Sequence, residues 1–195
     1  MSGHKILAIE CSTAACSAAL QVDGEITEQF QLAPRQHSEL ILPMVDRLLS
    51  DAELSLTQLD TIAFARGPGA FTGLRIAAGV VQGLAFGADL PVTPVSTLAA
   101  MAHGAFREFS ANNILAANDA SMGEVYYGAY RVQQYGELEL LGDEHVWPLS
   151  SITELKSGEW LALGSGWHKY REQISDSIKS GISQTVAEYY PHAYD

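Results

Sequence analysis

The chain has 195 residues, 47% of them apolar and 17% charged, an ordinary globular composition with enough apolar material for one domain or two small lobes. Its 23 acidic residues outnumber 11 basic ones and no basic run of five occurs, so a formal charge of −12 excludes an unaided grip on a nucleic-acid backbone. Two cysteines, Cys11 and Cys16, are too few for a disulfide framework and read as reduced, small apolar residues.

In chain order, the start MSGHKILAIE lacks the long apolar core of a signal peptide, and Ile-Leu-Ala from Ile6 opens a strand. A polar turn with Ser12 and Thr13 follows, then a second strand, a hairpin at Asp23-Gly24 and a third strand. Ser38 is a good helix N-cap, and Leu40, Ile41, Met44, Val45, Leu48 and Leu49 follow at helical spacing. Pro43 interrupts that pattern and predicts a kink or a tightened first turn. A strand over 61–65 leads into Gly67, Pro68 and Gly69, and a helix is expected over 72–86. The longest apolar stretch, 71–86, contains Arg75 and Gln82 and falls short of the roughly 20 residues of a membrane span, so a cytoplasmic location is expected. A short strand over 91–95 precedes Ser96, which caps a third helix with Leu98, Met101, Ala102, Ala105, Phe106 and Phe109 on one face.

At Ile114 the opening pattern returns, offset by 108 residues: Ile-Leu-Ala, a polar turn with Asp119 and Ser121, a strand, a hairpin at Tyr135-Gly136 and another strand. The repeat predicts two lobes of one design, residues 1–109 and 110–195, each a mixed sheet covered by helices. A helix near 151–156, a strand over 159–163 and a helix over 167–178 complete the second lobe. VAEYYPHAYD offers no further element, so that lobe is read as reduced or truncated.

The stretch FARGPGAFTGLRIAAG looks like a phosphate loop and fails the tests for one. A P-loop needs Lys followed by Ser or Thr after its last glycine, and Leu74-Arg75 stand there. A dinucleotide fingerprint is one residue shorter than the spacing of Gly67, Gly69 and Gly73. The pattern favours glycines that permit a tight strand-to-helix turn. Gly79 and Gly83 lie four apart on one helical face, which suits close approach of a backbone, either the chain's own sheet or a partner. The six histidines show no pair at metal-protease spacing, and no nucleophile has an evident base beside it. A two-lobed fold would set Ser12, Thr13 and Asp119 facing each other across a cleft, which leaves a kinase or ATPase as the alternative to ordinary turn chemistry.

ILAIECSTAACSAAL, HSELILPMVDRLL, GPGAFTGLRIAAGVVQGLAF, NDASMGEVYYGAY and GSGW together resemble the TsaB (YeaZ) family of tRNA threonylcarbamoyladenosine biosynthesis proteins. The resemblance implies a two-lobed α/β fold of the actin-like ATPase (ASKHA, RNase H-like) type. It implies a non-catalytic scaffold for a TsaD-type enzyme, which modifies an adenine beside the tRNA anticodon, with a TsaE-type ATPase joining and a homodimer forming when TsaD is absent. Contact with tRNA is then indirect, and no membrane is involved. No intrinsic cofactor is implied, and ATP or ADP is left to the complex with TsaD. The TsaD metal motif, His-x-x-x-His, aligns with Thr97 and Met101, so no metal site is expected. Ser12, Thr13 and Asp119 become vestigial nucleotide contacts. The partner surface is assigned to the first two helices through Leu40, Ile41, Met44, Val45, Leu48, Leu74, Arg75, Ala78, Gly79 and Gly83.

Overall fold

The computed structural model describes residues 3–195, which divide into two compact units. The first contains β1 (Ile6–Glu10), β2 (Ala15–Val22), β3 (Glu25–Leu32), α1 (His37–Asp51), β4 (Thr61–Ala65), α2 (Phe71–Ala88) and β5 (Val92–Val95). The sheet order is β3-β2-β1-β4-β5, antiparallel across the hairpins and parallel from β1 through β4 to β5. Asp23 at φ 52° and Gly24 at φ 92° make the β2–β3 hairpin turn that a right-twisted ribbon favours. Leu7, Ile9, Ala18, Leu20 and Ile62 point to one face, where Ile41, Val45 and Leu48 of α1 and Ala77, Val81 and Ala85 of α2 close the core. Residues 191–195 return to this unit: the Ala193 amide donates to Ser17 Oγ (2.9 Å), and His192 stacks on Phe30 at 4.2 Å.

The second unit contains β6 (Asn113–Ser121), β7 (Glu124–Val132), β8 (Leu138–Leu140), β9 (His145–Trp147), β10 (Trp160–Leu163), α4 (Ser165–Lys169), α5 (Asp176–Lys179) and β11 (Ile182–Val186). Its order, β11-β10-β6-β7-β8, repeats the first sheet strand for strand, with β9 added against β7. The duplication read from the sequence is therefore a duplication of sheet topology, and the fold is the two-lobed α/β type with mixed sheets.

Four expectations are corrected. The boundary falls at Thr97/Leu98 rather than after residue 109, because α3 (Thr97–Phe109) packs Leu98, Met101, Ala102 and Ala105 against Ile114, Ala116 and Leu163 of the second sheet. Helix α1 starts at His37 rather than after a Ser38 cap: the buried His37 ring donates from Nε2 toward the Thr13 and Ala15 carbonyls at 2.9 and 3.1 Å, fixing the entry. The helix expected near 151–156 is a single 3₁₀ turn at Leu149–Ser151, and that expected over 167–178 is broken into α4, a 3₁₀ turn and α5. Trp167, Tyr170, Ile174 and Ile178 are all buried as their spacing predicts, but Ile174 and Ser175 are extended, and Ser175 opens α5. Strand β11 went unread because Ile-Ser-Gln-Thr-Val is half polar, as suits a strand at a sheet edge.

Candidate functional site

The glycine loop is packed against the β1–β2 turn. The Ala70 amide donates to the Ser12 carbonyl at 2.7 Å, and Ala70 caps α2 without a side-chain hydrogen bond. A β-carbon at Gly69 would lie 2.3 Å from the Ser12 carbonyl oxygen, and one at Gly73 would lie 1.9 Å from that of Cys11. Gly67 holds φ 97°, which other residues avoid. These three glycines thus let the loop close on the neighbouring backbone, and the structural reading of the loop accounts for all of them.

Ser12 is 1% exposed, and its Oγ has no hydrogen-bond partner among the described residues; its amide donates to Glu10 Oε1. Burial pushes the Glu10 carboxyl up to about 7 against the downward pull of Ser12. Cys11 and Cys16 are buried with sulfurs 3.9 Å apart, and that contact together with burial pushes the Cys11 thiol well above its ordinary range. Thr13 Oγ1 accepts from the Ala15 amide. In the second unit, Asp119 is already occupied. Lys169 Nζ donates to Oδ2 (2.6 Å), and the Tyr170 hydroxyl (2.8 Å) and the Ser121 amide (2.9 Å) donate to Oδ1. Partial burial would raise this carboxyl, but the Lys169, Tyr170 and Ser121 hydrogen bonds outweigh it and hold it below the usual range. Of the two positions aligned with the TsaD histidines, Thr97 is buried and Met101 is buried, with its sulfur accepting from Asn118.

The residues assigned to a partner surface separate into two groups. Ile41, Met44, Val45 and Leu48 are buried in the first unit's own core, so they present nothing to a partner; Leu40 is half-buried against the same core. The exposed face of α1 holds Ser38, Glu39, Leu42, Pro43, Asp46 and Arg47 instead. On α2 the outcome reverses. Gly73, Ala77, Val81 and Ala85 face inward, whereas Arg75, Gly79 and Gly83 are exposed and Leu74 and Ala78 are half-buried. A β-carbon at Gly79, Gly83 or Gly87 would meet nothing within 4 Å. The stripe is therefore not used by the chain's own sheet.

Three residues of this face escaped the sequence reading: Phe71 (67% exposed), Phe86 (92% exposed) and Gly87. Arg75 lies over the Phe71 ring, 3.8 Å from its centroid. The signal was present, since Gly79, Gly83 and Gly87 repeat every four residues and Phe86 sits beside the last. Helix α2 also reaches Ala88, two residues beyond the expected end, and its 18 residues are long and apolar enough to cross a membrane by length and composition only. Only 22% of it is buried, an unusual state for so apolar a helix resting on a sheet.

The chain is similar to known proteins over most of its length. The family model described as TsaD, tRNA N6-adenosine threonylcarbamoyltransferase, matches residues 26–187. The chain is 46% identical over 176 residues to the tRNA threonylcarbamoyladenosine biosynthesis protein TsaB of Escherichia coli, covering 89% of this chain and 76% of that protein. To the protein of the same name from Haemophilus influenzae it is 43% identical over 180 residues, covering 88% and 76%. The solved structure of YeaZ from Pseudomonas aeruginosa superposes with a TM-score of 0.92 at 44% identity, covering 98% of this chain and 88% of that one.

Proposed function

The chain belongs to the TsaB family and so acts in tRNA threonylcarbamoyladenosine biosynthesis, and from that membership we propose that it does so as a non-catalytic partner of a TsaD-type enzyme, docking through the outer face of α2. The observation that carries this reading is the open glycine stripe Gly79-Gly83-Gly87 flanked by exposed Phe71 and Phe86. Glycine in a helix interior costs about 1 kcal/mol relative to alanine, so Gly79 and Gly83, interior to α2 and without an internal contact, are a standing loss unless another helix closes on them. Close backbone approach with two aromatic rings at the ends of the stripe is what a helix–helix seam needs.

The rest of the molecule fits a supporting role. Of the residues that the alternative kinase or ATPase reading would use, Ser12 is enclosed in the first unit and Asp119 is held by Lys169 and Tyr170 of its own unit. The same α2 face would pair two copies of the chain when no TsaD-type enzyme is present. A TsaE-type ATPase, and ATP or ADP, would join at the assembled complex, and tRNA would be met through it. Co-purification with a TsaD-type enzyme tests this. Phe86→Asp, at a position that contributes almost nothing to the core, should abolish capture while leaving the circular dichroism and melting of the chain unchanged. Undiminished capture by that variant would remove α2 from the interface.

A further inference from the structure

The duplicated topology exposes a difference between the units. In the first, α1 lies across β2 and β3 and seals that face of the sheet. In the second, the chain between β8 and β10 contains no α-helix; it supplies β9, the 3₁₀ turn at Leu149–Ser151 and an irregular stretch up to Gly158-Glu159. What covers the equivalent face is therefore thinner, and a cavity of about 160 Å³ remains over β7 and β10. An apolar cavity of about that size accommodates a benzene-sized molecule in other proteins.

The lining is chemically selective. Tyr127, His145, Trp147 and Trp160 supply four aromatic rings. His145 stacks on Trp147 with centroids 3.9 Å apart, and Tyr127 lies 5.9 Å from Trp147, so three of the rings form one continuous wall. Burial pushes the Tyr127 phenol up to about 12, so this ring is a neutral one. Trp160 satisfies its indole N–H on the Lys156 carbonyl (2.8 Å), whereas the buried Trp147 N–H has no acceptor among the described residues. Two carboxylates, Asp143 and Glu154, also line the cavity and are exposed at its mouth, against one ammonium, Lys156.

We propose that this cavity of the second unit binds a small organic cation, its ammonium head set among the aromatic rings with Asp143 and Glu154 at the mouth. Aromatic faces attract a desolvated cation, and the surplus negative charge adds to that attraction while disfavouring anions. An uncharged apolar guest of the same shape would gain only the area term.

The test uses the full chain, with choline as the probe and 3,3-dimethyl-1-butanol as its uncharged match in shape. Binding is read from indole N–H shifts in NMR and from tryptophan fluorescence, since Trp147 and Trp160 both line the cavity. Choline should give saturable shifts and bind at least about fivefold tighter than the alcohol. The Asp143→Asn/Glu154→Gln variant should lose most of that preference, and Ala129→Leu, which fills the cavity from β7, should lose both guests. Equal affinity for the two guests, no saturable shift with choline, or full binding by the Ala129→Leu variant would overturn the proposal. Should Ala129→Leu fail to fold, the charge variant, altered only at exposed positions, still decides it.

Discussion

Replacing Gly79 and Gly83 of α2 by alanine should move two quantities in opposite directions. A β-carbon at either position meets no atom of the chain within 4 Å, so nothing in the isolated fold resists the added methyl groups. Each Gly→Ala change inside a helix is worth about 1 kcal/mol, so the pair should stabilise the isolated chain by about 2 kcal/mol. For a domain of this size that is a rise of about 4–8 °C in the melting midpoint. At a seam where another backbone comes close, each methyl overpacks and costs about 1–3 kcal/mol. Association should therefore weaken about fivefold to 150-fold per methyl. Differential scanning calorimetry at low protein concentration reads the first quantity. Sedimentation velocity, with the chain alone and with a TsaD-type enzyme, reads the second. A more stable chain that associates as well as the parent would show that the stripe faces no partner, and a less stable chain would show that the glycines serve the fold.

Glu10→Gln keeps an acceptor for the Ser12 amide and removes a titration. Because burial raises the Glu10 carboxyl from 4.5 to about 7 in the folded chain, its stabilising protonated form is fully present below about pH 4.5 and is lost as pH rises through 7. The parent should accordingly lose about 3 kcal/mol between pH 4.5 and 8 from this group, and the variant should not, as urea midpoints across that range would reveal. Met44→Ala should cost about 2–5 kcal/mol of folding stability, measured by urea unfolding, and leave association unchanged at temperatures where the variant is folded, since Met44 belongs to the core. Lys169→Met should raise the Asp119 carboxyl toward its ordinary value, visible in a carbon-13 carboxyl titration. The ion pair's contribution is present above the unfolded carboxyl pKa and lost as pH falls through the depressed folded value, so the variant should differ from the parent at neutral pH and converge with it in acid.

The antiparallel hairpins and the duplication were readable because turn signals and the second Ile-Leu-Ala opening mark them, whereas the order of the parallel strands and the half-polar edge strand β11 leave no such local signal. Which helix faces are covered was only half readable, for a physical reason. The apolar stripe of α1 has the same periodicity whether a sheet or a partner covers it, and here the first unit's own β2 and β3 do. Glycine carries different information: it contributes no apolar area, so Gly79 and Gly83 pointed to close approach of a backbone, while the sequence left open whether the chain's own sheet or a partner supplies it. Lys169 and Tyr170 lie 50 and 51 residues from Asp119, and no local pattern connects them. The break in the 167–178 helix was hidden because the apolar spacing continues through it; only Ser175-Asp176, a helix start inside the run, marked it.

The most direct measurement is threonylcarbamoylation of tRNA reconstituted from purified TsaD-type and TsaE-type proteins, with this chain, with its Phe86→Asp variant, and with this chain alone. We expect modification to require the intact chain, to fail with the variant, and to be absent from the chain by itself. Full modification supported by the variant, or transfer by the chain unaccompanied, would contradict a supporting role exercised through α2.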